Sequence, residues 1–341
     1  MATATREQKA AAATDEKLYR VALREALTEE MERDDSIFLI GEDIGKFGGA
    51  YRVTDGLLDK FGPQRVVDAP IAEEVIVGTA IGAAMLGLRP VVELMTINFS
   101  LVAYDQIVNN AAKIRYMFGG EVKVPMVIRM PGGAGHQLSA QHSHSFEVLY
   151  GLIPGLLTVA PTTPEDAKGM LKSAIRGDNP VMFLESMSLY NVRGMVPAGD
   201  YTVPLGKAAL RRTGSDVTVI GVSRMAVLAN EAAKQLEEDD IDAEVIDLRS
   251  IRPIDWEPIV ESVKKTSRCV VVEEGWSTYG VTAEITAGVQ ERCFDYLDAP
   301  VRRLGGEQVP MPYSQFLEKA SIPTAEDIKR LVRATLGKKV D

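Results

Sequence analysis

Short apolar runs alternate with stretches of helical period along most of this chain. The run SIFLIGED (36–43) reads as a buried strand that ends in a polar loop at Gly41, Glu42 and Asp43. RVVDAP (65–70) is a second strand, closed by Pro70. From 72 to 87 the chain turns helical and rich in small residues, RPVVELMT (89–96) is again a strand, and 100–117 reads as helix. VPMVIRMP (124–131) leads into the Gly-rich loop GGAGHQLSAQHSHS, followed by the strand GLLTVAP, a helix over 164–176 and the strand PVMFLES. Upstream of all these, Leu18, Val21, Ala22, Ala26 and Leu27 recur at helical spacing and predict a helix starting near Thr14 and Asp15.

Strands alternating with helices predict an α/β fold with mostly parallel sheets covered on both faces. The segment 191–206, with RGMVPAGDYTVPLG, has Pro, Gly and no period, and reads as a connector. After it, DVTVIGVS, MAVLANEAAKQLEE, AEVIDL, DWEPIVESVKK, RCVVVEEG and TAEITAGVQERC repeat the strand–helix alternation. The expected organisation is a flexible tail over 1–15, a first three-layer domain over 16–190, the connector, and a second three-layer domain over 207–335. Ligands of such sheets bind at the carboxyl ends of the strands. Glu42, Glu73 and His142 all follow predicted strands, so one crevice could collect them.

Composition narrows the function classes. The chain has 341 residues and a net charge of −10, which disfavours non-specific nucleic-acid binding. The basic patch Lys329, Arg330, Arg333, Lys338 and Lys339 reads as a solvated terminal helix. No segment approaches the roughly 18–20 unbroken apolar residues that cross a bilayer, so neither nucleic acid nor membrane is an expected partner. Two cysteines, Cys269 and Cys293, and three histidines are too few for a disulfide framework or a His/Cys metal centre, and they fit a reducing compartment.

Candidate chemistry centres on Glu73. It opens the predicted helix IAEEVIVGTAIGAAMLG, where an acidic side chain favours the helix dipole with no further role. Gly78 and Gly82, however, share a face of that helix, and each glycine costs about 1 kcal/mol relative to alanine in a helix interior. Two on one face predict close packing of another backbone there. Such a contact would partly desolvate Glu73, which suits proton chemistry. Phe99 and Met95, read alone, are core residues. His142 is a loop histidine with a side chain suited to proton transfer near neutrality. Glu42 is either a partner carboxylate of the same site or simply solvated. The segment KSAIRGDNP reads as a helix end and turn.

Glu73, four intervening residues, then Gly78-Thr-Ala-Ile-Gly82-Ala resembles the pyrimidine-side motif of thiamine-diphosphate enzymes, with Thr79 where an apolar residue is usual. RVVDAPIAE, GLRPVVELMTINF, DQIVNNAAK, AQHSHSFE, PGLLTVAPTTPEDAKG, AIRGDNPVMFLE, DLRSIRPID and PYSQFLEKASIPT extend the likeness over about 16–335. Together they resemble the beta subunits of thiamine-diphosphate-dependent 2-oxo acid dehydrogenases of the pyruvate dehydrogenase type. The resemblance implies a pyrimidine-binding domain followed by a transketolase C-terminal-like domain. It also implies oxidative decarboxylation of pyruvate with acetyl transfer to the lipoamide of an acyltransferase. In that family the Glu matching Glu73 hydrogen-bonds a ring nitrogen of the aminopyrimidine and favours the tautomer that deprotonates the thiazolium carbon.

By the same resemblance Phe99 stacks on the pyrimidine, Met95 and Ile71 line its pocket, and His142 is the active-site channel histidine. Main-chain oxygens of Met126, Ala174, Ile175, Gly177 and Asn179 match the ligands of a structural potassium ion. His144 is left without a role. His136, in GGAGHQ, resembles branched-chain enzymes and keeps branched-chain 2-oxo acids and acetoin open as substrates.

The Gly-Asp-Gly…Asn-Asn motif that holds magnesium and diphosphate is missing. Gly177-Asp178 continues as Asn179, Gly199-Asp200 continues as Tyr201, and Asn109-Asn110 has no partner upstream. The expected diphosphate and Mg2+ side therefore belongs to an alpha subunit, in an alpha2–beta2 heterotetramer that docks a lipoyl-bearing dihydrolipoamide acyltransferase. The alternatives are a non-catalytic docking subunit and a standalone transketolase-like enzyme. The compartment expected is bacterial cytoplasm, or mitochondrial matrix or plastid stroma in a eukaryote.

Overall fold

A computed structural model describes residues 14–339. Seven strands form the first sheet, in the order Ser250–Arg252, Leu157–Val159, Val181–Ser186, Val127–Gly132, Arg89–Glu93, Ile37–Gly41, Val66–Asp68. All neighbours are parallel except the first pair. Their side chains alternate between two apolar layers. Leu39, Val91, Val127, Val181 and Phe183 face the helices Tyr19–Arg33 and Pro164–Arg176. Ile40, Val92, Ile128 and Met182 face the helix Glu73–Met85. The second sheet runs Arg302–Gly306, Cys269–Trp276, Val217–Gly221, Ala243–Asp247, Ala209–Arg212, with only the last strand antiparallel. The expected α/β class and both three-layer domains are therefore present.

Local signals explain the best-placed element. The helix Pro164–Arg176 coincides with its predicted span: Thr163 Oγ1 accepts from the Asp166 amide at 3.1 Å, and Pro164 presets the first turn.

Four expectations need correction. The first helix begins at Tyr19, because Thr14–Leu18 is a strand paired antiparallel with Arg193–Pro197. The tail expected over 1–15 otherwise lies outside the described residues. The same pairing turns part of the 191–206 connector into ordered sheet, since the backbone groups of 193–197 find partners across the domain.

The helix expected over 100–117 is broken into the short helices Ile97–Leu101, Gln106–Ala111 and Ile114–Met117, the middle one widened by a bond from the Ala112 amide to the Ile107 carbonyl at 3.0 Å. The wide turn lies where Gln106 packs against Gly78 of the neighbouring helix.

Finally, Ser250–Arg252, expected within the second domain, forms the edge strand of the first sheet. The domains share more than a connector. One apolar cluster runs from Ile76, Val92 and Ile128 through to Ile220, Ile246 and Ile285. Beside it, Arg211 and Arg249 of the second domain bind Asp166 of the first, and Arg211 also holds buried Asp247. Burial pushes the Asp247 carboxyl up to about 6, against the pull of Arg211.

Candidate active site

Four adjacent parallel strands deliver the candidate residues. Val66–Asp68, Ile37–Gly41, Arg89–Glu93 and Val127–Gly132 are successive neighbours, so the chain leaves all four at one edge of the sheet. From those ends come, in the same order, Ile71 and Glu73, then Glu42, then Met95 and Phe99, then the loop bearing His142. Gly41 closes its strand against Glu93: a Cβ there would lie 2.6 Å from the Glu93 carbonyl oxygen, so no larger residue fits before Glu42.

Glu73 is the first residue of the helix Glu73–Met85 and is only 7 % exposed. Among the described residues no hydrogen bond reaches its carboxylate. Glu42 lies close enough to feel it: burial, the Glu73 charge and then Asp43 raise the Glu42 carboxyl above the usual glutamate range. Ile71 is 74 % exposed, two residues before Glu73, while Met95 and Phe99 are half-buried. The Phe99 and His142 rings meet edge to face, with centroids 5.1 Å apart. Glu42 and Glu73 are thus brought together, as are Phe99 and His142.

The glycines of the Glu73 helix answer differently from expectation. A Cβ on Gly78 would meet only the Gln106 side chain, at 3.5 Å, and one on Gly82 would meet nothing within 4 Å. Among the described residues no backbone packs there. Instead Val75, Met85 and Leu86 expose apolar surface along the same helix, Leu86 by 88 %.

The five expected potassium positions lie at the opposite end of the sheet. The Arg89 guanidinium donates to the carbonyl oxygens of Ile175 at 3.0 Å and Gly177 at 2.7 Å. The Met126 oxygen accepts from the Val181 amide, that of Ala174 accepts from the Gly177 amide, and Arg115 binds the Asn179 side chain. A cationic side chain already serves two of these oxygens, so the potassium expectation rests on the resemblance alone.

Several residues near the site escaped sequence reasoning. His144 stacks on Phe146 at 4.2 Å, meets Trp276 of the second domain edge-on at 5.6 Å, and shares a hydrogen bond through Nδ1 with the Asn98 amide. Burial lowers its pKa. Glu274 and Glu318, also of the second domain, accept hydrogen bonds from amides of the His142 loop. The segment PYSQFLEKASIPT contains Glu318, but nothing in its spacing says what that carboxylate would meet.

Comparison with known proteins places this architecture. Residues 15–193 match the transketolase pyrimidine binding domain, and residues 206–328 match the transketolase C-terminal domain. A solved split gene transketolase, described as an inactive beta4 tetramer, superposes with a TM-score of 0.78 at 25 % identity, covering 94 % of this chain and 98 % of that one. The class is therefore transketolase-like, with the pyrimidine-binding domain first.

Within that class the chain is similar over nearly its whole length to one group of proteins. The chain is 51 % identical to the pyruvate dehydrogenase E1 component subunit beta of Rickettsia conorii over 314 residues, covering 92 % of this chain and 96 % of that one. It is 48 % identical to the mitochondrial counterpart of Dictyostelium discoideum, covering 93 % and 90 %, and 50 % identical to that of Caenorhabditis elegans, covering 93 % and 92 %. The chain belongs to the family of pyruvate dehydrogenase E1 component beta subunits.

Proposed function

We propose that this chain is the beta half of a thiamine-diphosphate-dependent pyruvate dehydrogenase, acting in oxidative decarboxylation of pyruvate and acetyl transfer to lipoamide. The observation that carries this reading is Glu73: a buried carboxylate, at the carboxyl edge of a parallel sheet, with no hydrogen-bond partner among the described residues. Such a group is free to take a new partner, and a ring nitrogen of an aminopyrimidine would supply one. Bound there, thiamine diphosphate supplies the carbon nucleophile and takes up the electrons released as carbon dioxide leaves.

This chain's residues do the rest of the pyrimidine-side work. Glu73 holds a proton at the ring nitrogen. Glu42, its carboxyl raised by burial and by Glu73, keeps a proton to higher pH than a free glutamate and limits charge repulsion beside it. Phe99, Met95 and Ile71 give a flat ring an apolar wall. His142, against Phe99, orients the 2-oxo acid or passes a proton during acyl transfer.

The diphosphate and its Mg2+ fall to an alpha subunit seated on the exposed Val75, Gly82, Leu86 face, in an alpha2–beta2 assembly, and a lipoyl-bearing acyltransferase receives the acetyl group. Cys269 and Cys293 are both buried and unpaired, which fits a reducing compartment such as bacterial cytoplasm. Among the described residues no helix is long and apolar enough to cross a membrane.

The test is Glu73→Gln in the assembled enzyme. Decarboxylation should fall by roughly 100-fold or more, the range expected for loss of a positioned acid–base group, with assembly intact. Near-normal turnover would overturn the assignment. Parallel assays with pyruvate, 3-methyl-2-oxobutanoate and acetoin decide the substrate.

A further inference from the structure

The His142 loop, residues 133–146, has no regular secondary structure between the strand Val127–Gly132 and the helix Glu147–Gly151. A loop of this length stays in one conformation only if its backbone groups are tied down. Its first half turns through left-handed conformations at Gly133, Gly135, Gln137 and Ser139, with φ of 92°, 100°, 55° and 65°. Those turns present successive amides to the second domain. The Ala134 amide donates to Glu274 Oε1 at 2.6 Å. The Gly135 amide donates to Glu318 Oε1 at 2.9 Å, and the Gln137 amide reaches both Glu318 oxygens at 3.1 Å.

Glu318 is 1 % exposed, on the helix Gln315–Ser321, so its charge is met by these backbone donors in place of water. The second half of the loop is held from the other side. The Gly133 amide donates to the His144 carbonyl at 2.8 Å, the His144 ring is bound by Asn98 and packed against Trp276, and Asn98 precedes Phe99 on one short turn. His142 therefore sits between two clamped ends, with its ring on Phe99.

We propose that Glu318 is a positioning residue for the reaction: from the second domain it fixes the backbone of the loop that presents His142 to the site, with Glu274 and the Asn98–His144 pair completing the clamp. The second domain then takes part in substrate handling. The inference rests on His142 serving the site as proposed above. Rate depends steeply on placement, and a misplacement of about 1 Å can cost on the order of 100-fold.

The test is made on the assembled enzyme with pyruvate as substrate. Glu318→Ala should lower kcat for acetyl transfer to the lipoyl domain about tenfold, with cofactor affinity unchanged, and should shift the pH profile as His142 moves. Glu318→Gln keeps an acceptor oxygen for the Gly135 or Gln137 amide and should recover most of that loss. Hydrogen exchange of the wild-type enzyme gives a readout independent of activity: the Gly135 and Gln137 amides should be protected, and Glu318→Ala should release them.

Free exchange of both amides in the wild type would overturn the clamp even if the alanine variant failed to fold. A folded, assembled Glu318→Ala enzyme with unchanged kcat, KM and pH profile would overturn its role. Failure of the cofactor assignment would show separately, as turnover surviving Glu73→Gln while the loop amides stay protected.

Discussion

Replacing Arg129 with methionine should cost this protein about 3–5 kcal/mol of stability, the range for breaking a buried ion pair from one side. Arg129 lies in the central strand Val127–Gly132 and is 1 % exposed. Its guanidinium grips Glu185 with two bonds, Nε to Oε1 at 2.7 Å and Nη2 to Oε2 at 2.8 Å, and holds Glu93 through Nη1 at 2.5 Å. Tyr190 adds a bond to Glu185 at 2.6 Å. Burial alone works against the arginine's charge, but Glu185 and Glu93 more than offset it.

Removing Arg129 leaves two buried carboxylates facing each other, and the cost comes from those stranded charges more than from the lost attraction. A pH signature follows. Burial already raises the Glu93 carboxyl, held back by Arg129. Without the arginine it rises further, so the native state binds a proton that the unfolded chain releases. Stability of the variant then falls as pH rises through the native value. Urea unfolding at about pH 5.5 and about pH 8 should show the larger deficit at the higher pH. Adding Glu93→Gln and Glu185→Gln should return most of it. A deficit below about 1 kcal/mol at both pH values, as for an exposed pair, would refute this account.

Two further outcomes test other parts of the structure. Glu147, in the wall of a small cavity between the domains, has its carboxyl pushed up to about 8 by burial and then by Glu273 and Glu274. Folding therefore takes up a proton between the free-glutamate range and about 8, and stability falls as pH rises across that window; Glu147→Gln should match wild type in urea unfolding at about pH 4.5 and exceed it near pH 8, and equal curves at both would count against a protonated Glu147. Gly82→Ala should raise the stability of the isolated chain by up to about 1 kcal/mol, because the helix gains and the site is open, yet weaken assembly with the alpha subunit by size-exclusion or calorimetry; unchanged assembly would remove this face from the interface.

Much of the site was legible because its elements are local. Glu73 follows a strand and opens a helix, and both facts are written in neighbouring residues: Pro70 ends one element and the spacing of Ile76, Val77, Ala80 and Ile81 starts the next. A mostly parallel sheet could be argued from alternation alone, and with it that Glu42, Glu73 and His142 could share one crevice; which strands are neighbours, and that Phe99 meets His142, came from the structure. The Gly78/Gly82 face was expected to be a close backbone contact, but among the described residues no backbone packs on it.

Other features depended on pairings between distant residues. The capture of 14–18 by 193–197 joins segments whose own patterns are weak, and Ser250–Arg252 crosses to the first sheet because its edge offers unpaired backbone groups beside Leu157–Val159. Neither pairing leaves a periodicity to read.

The chain's order of residues by itself determined the α/β class and the two layered domains. Each follows from spacing within about ten to twenty residues, where backbone geometry turns sequence into direction. Only the tertiary structure decided that Arg89 serves two of the five oxygens expected for potassium, that Gly82 is open, and that Glu274, Glu318 and Trp276 reach across to the His142 loop. Those contacts are set by how two separately folded layers meet, and a carboxylate finds a backbone amide some 180 positions away only after both have been placed.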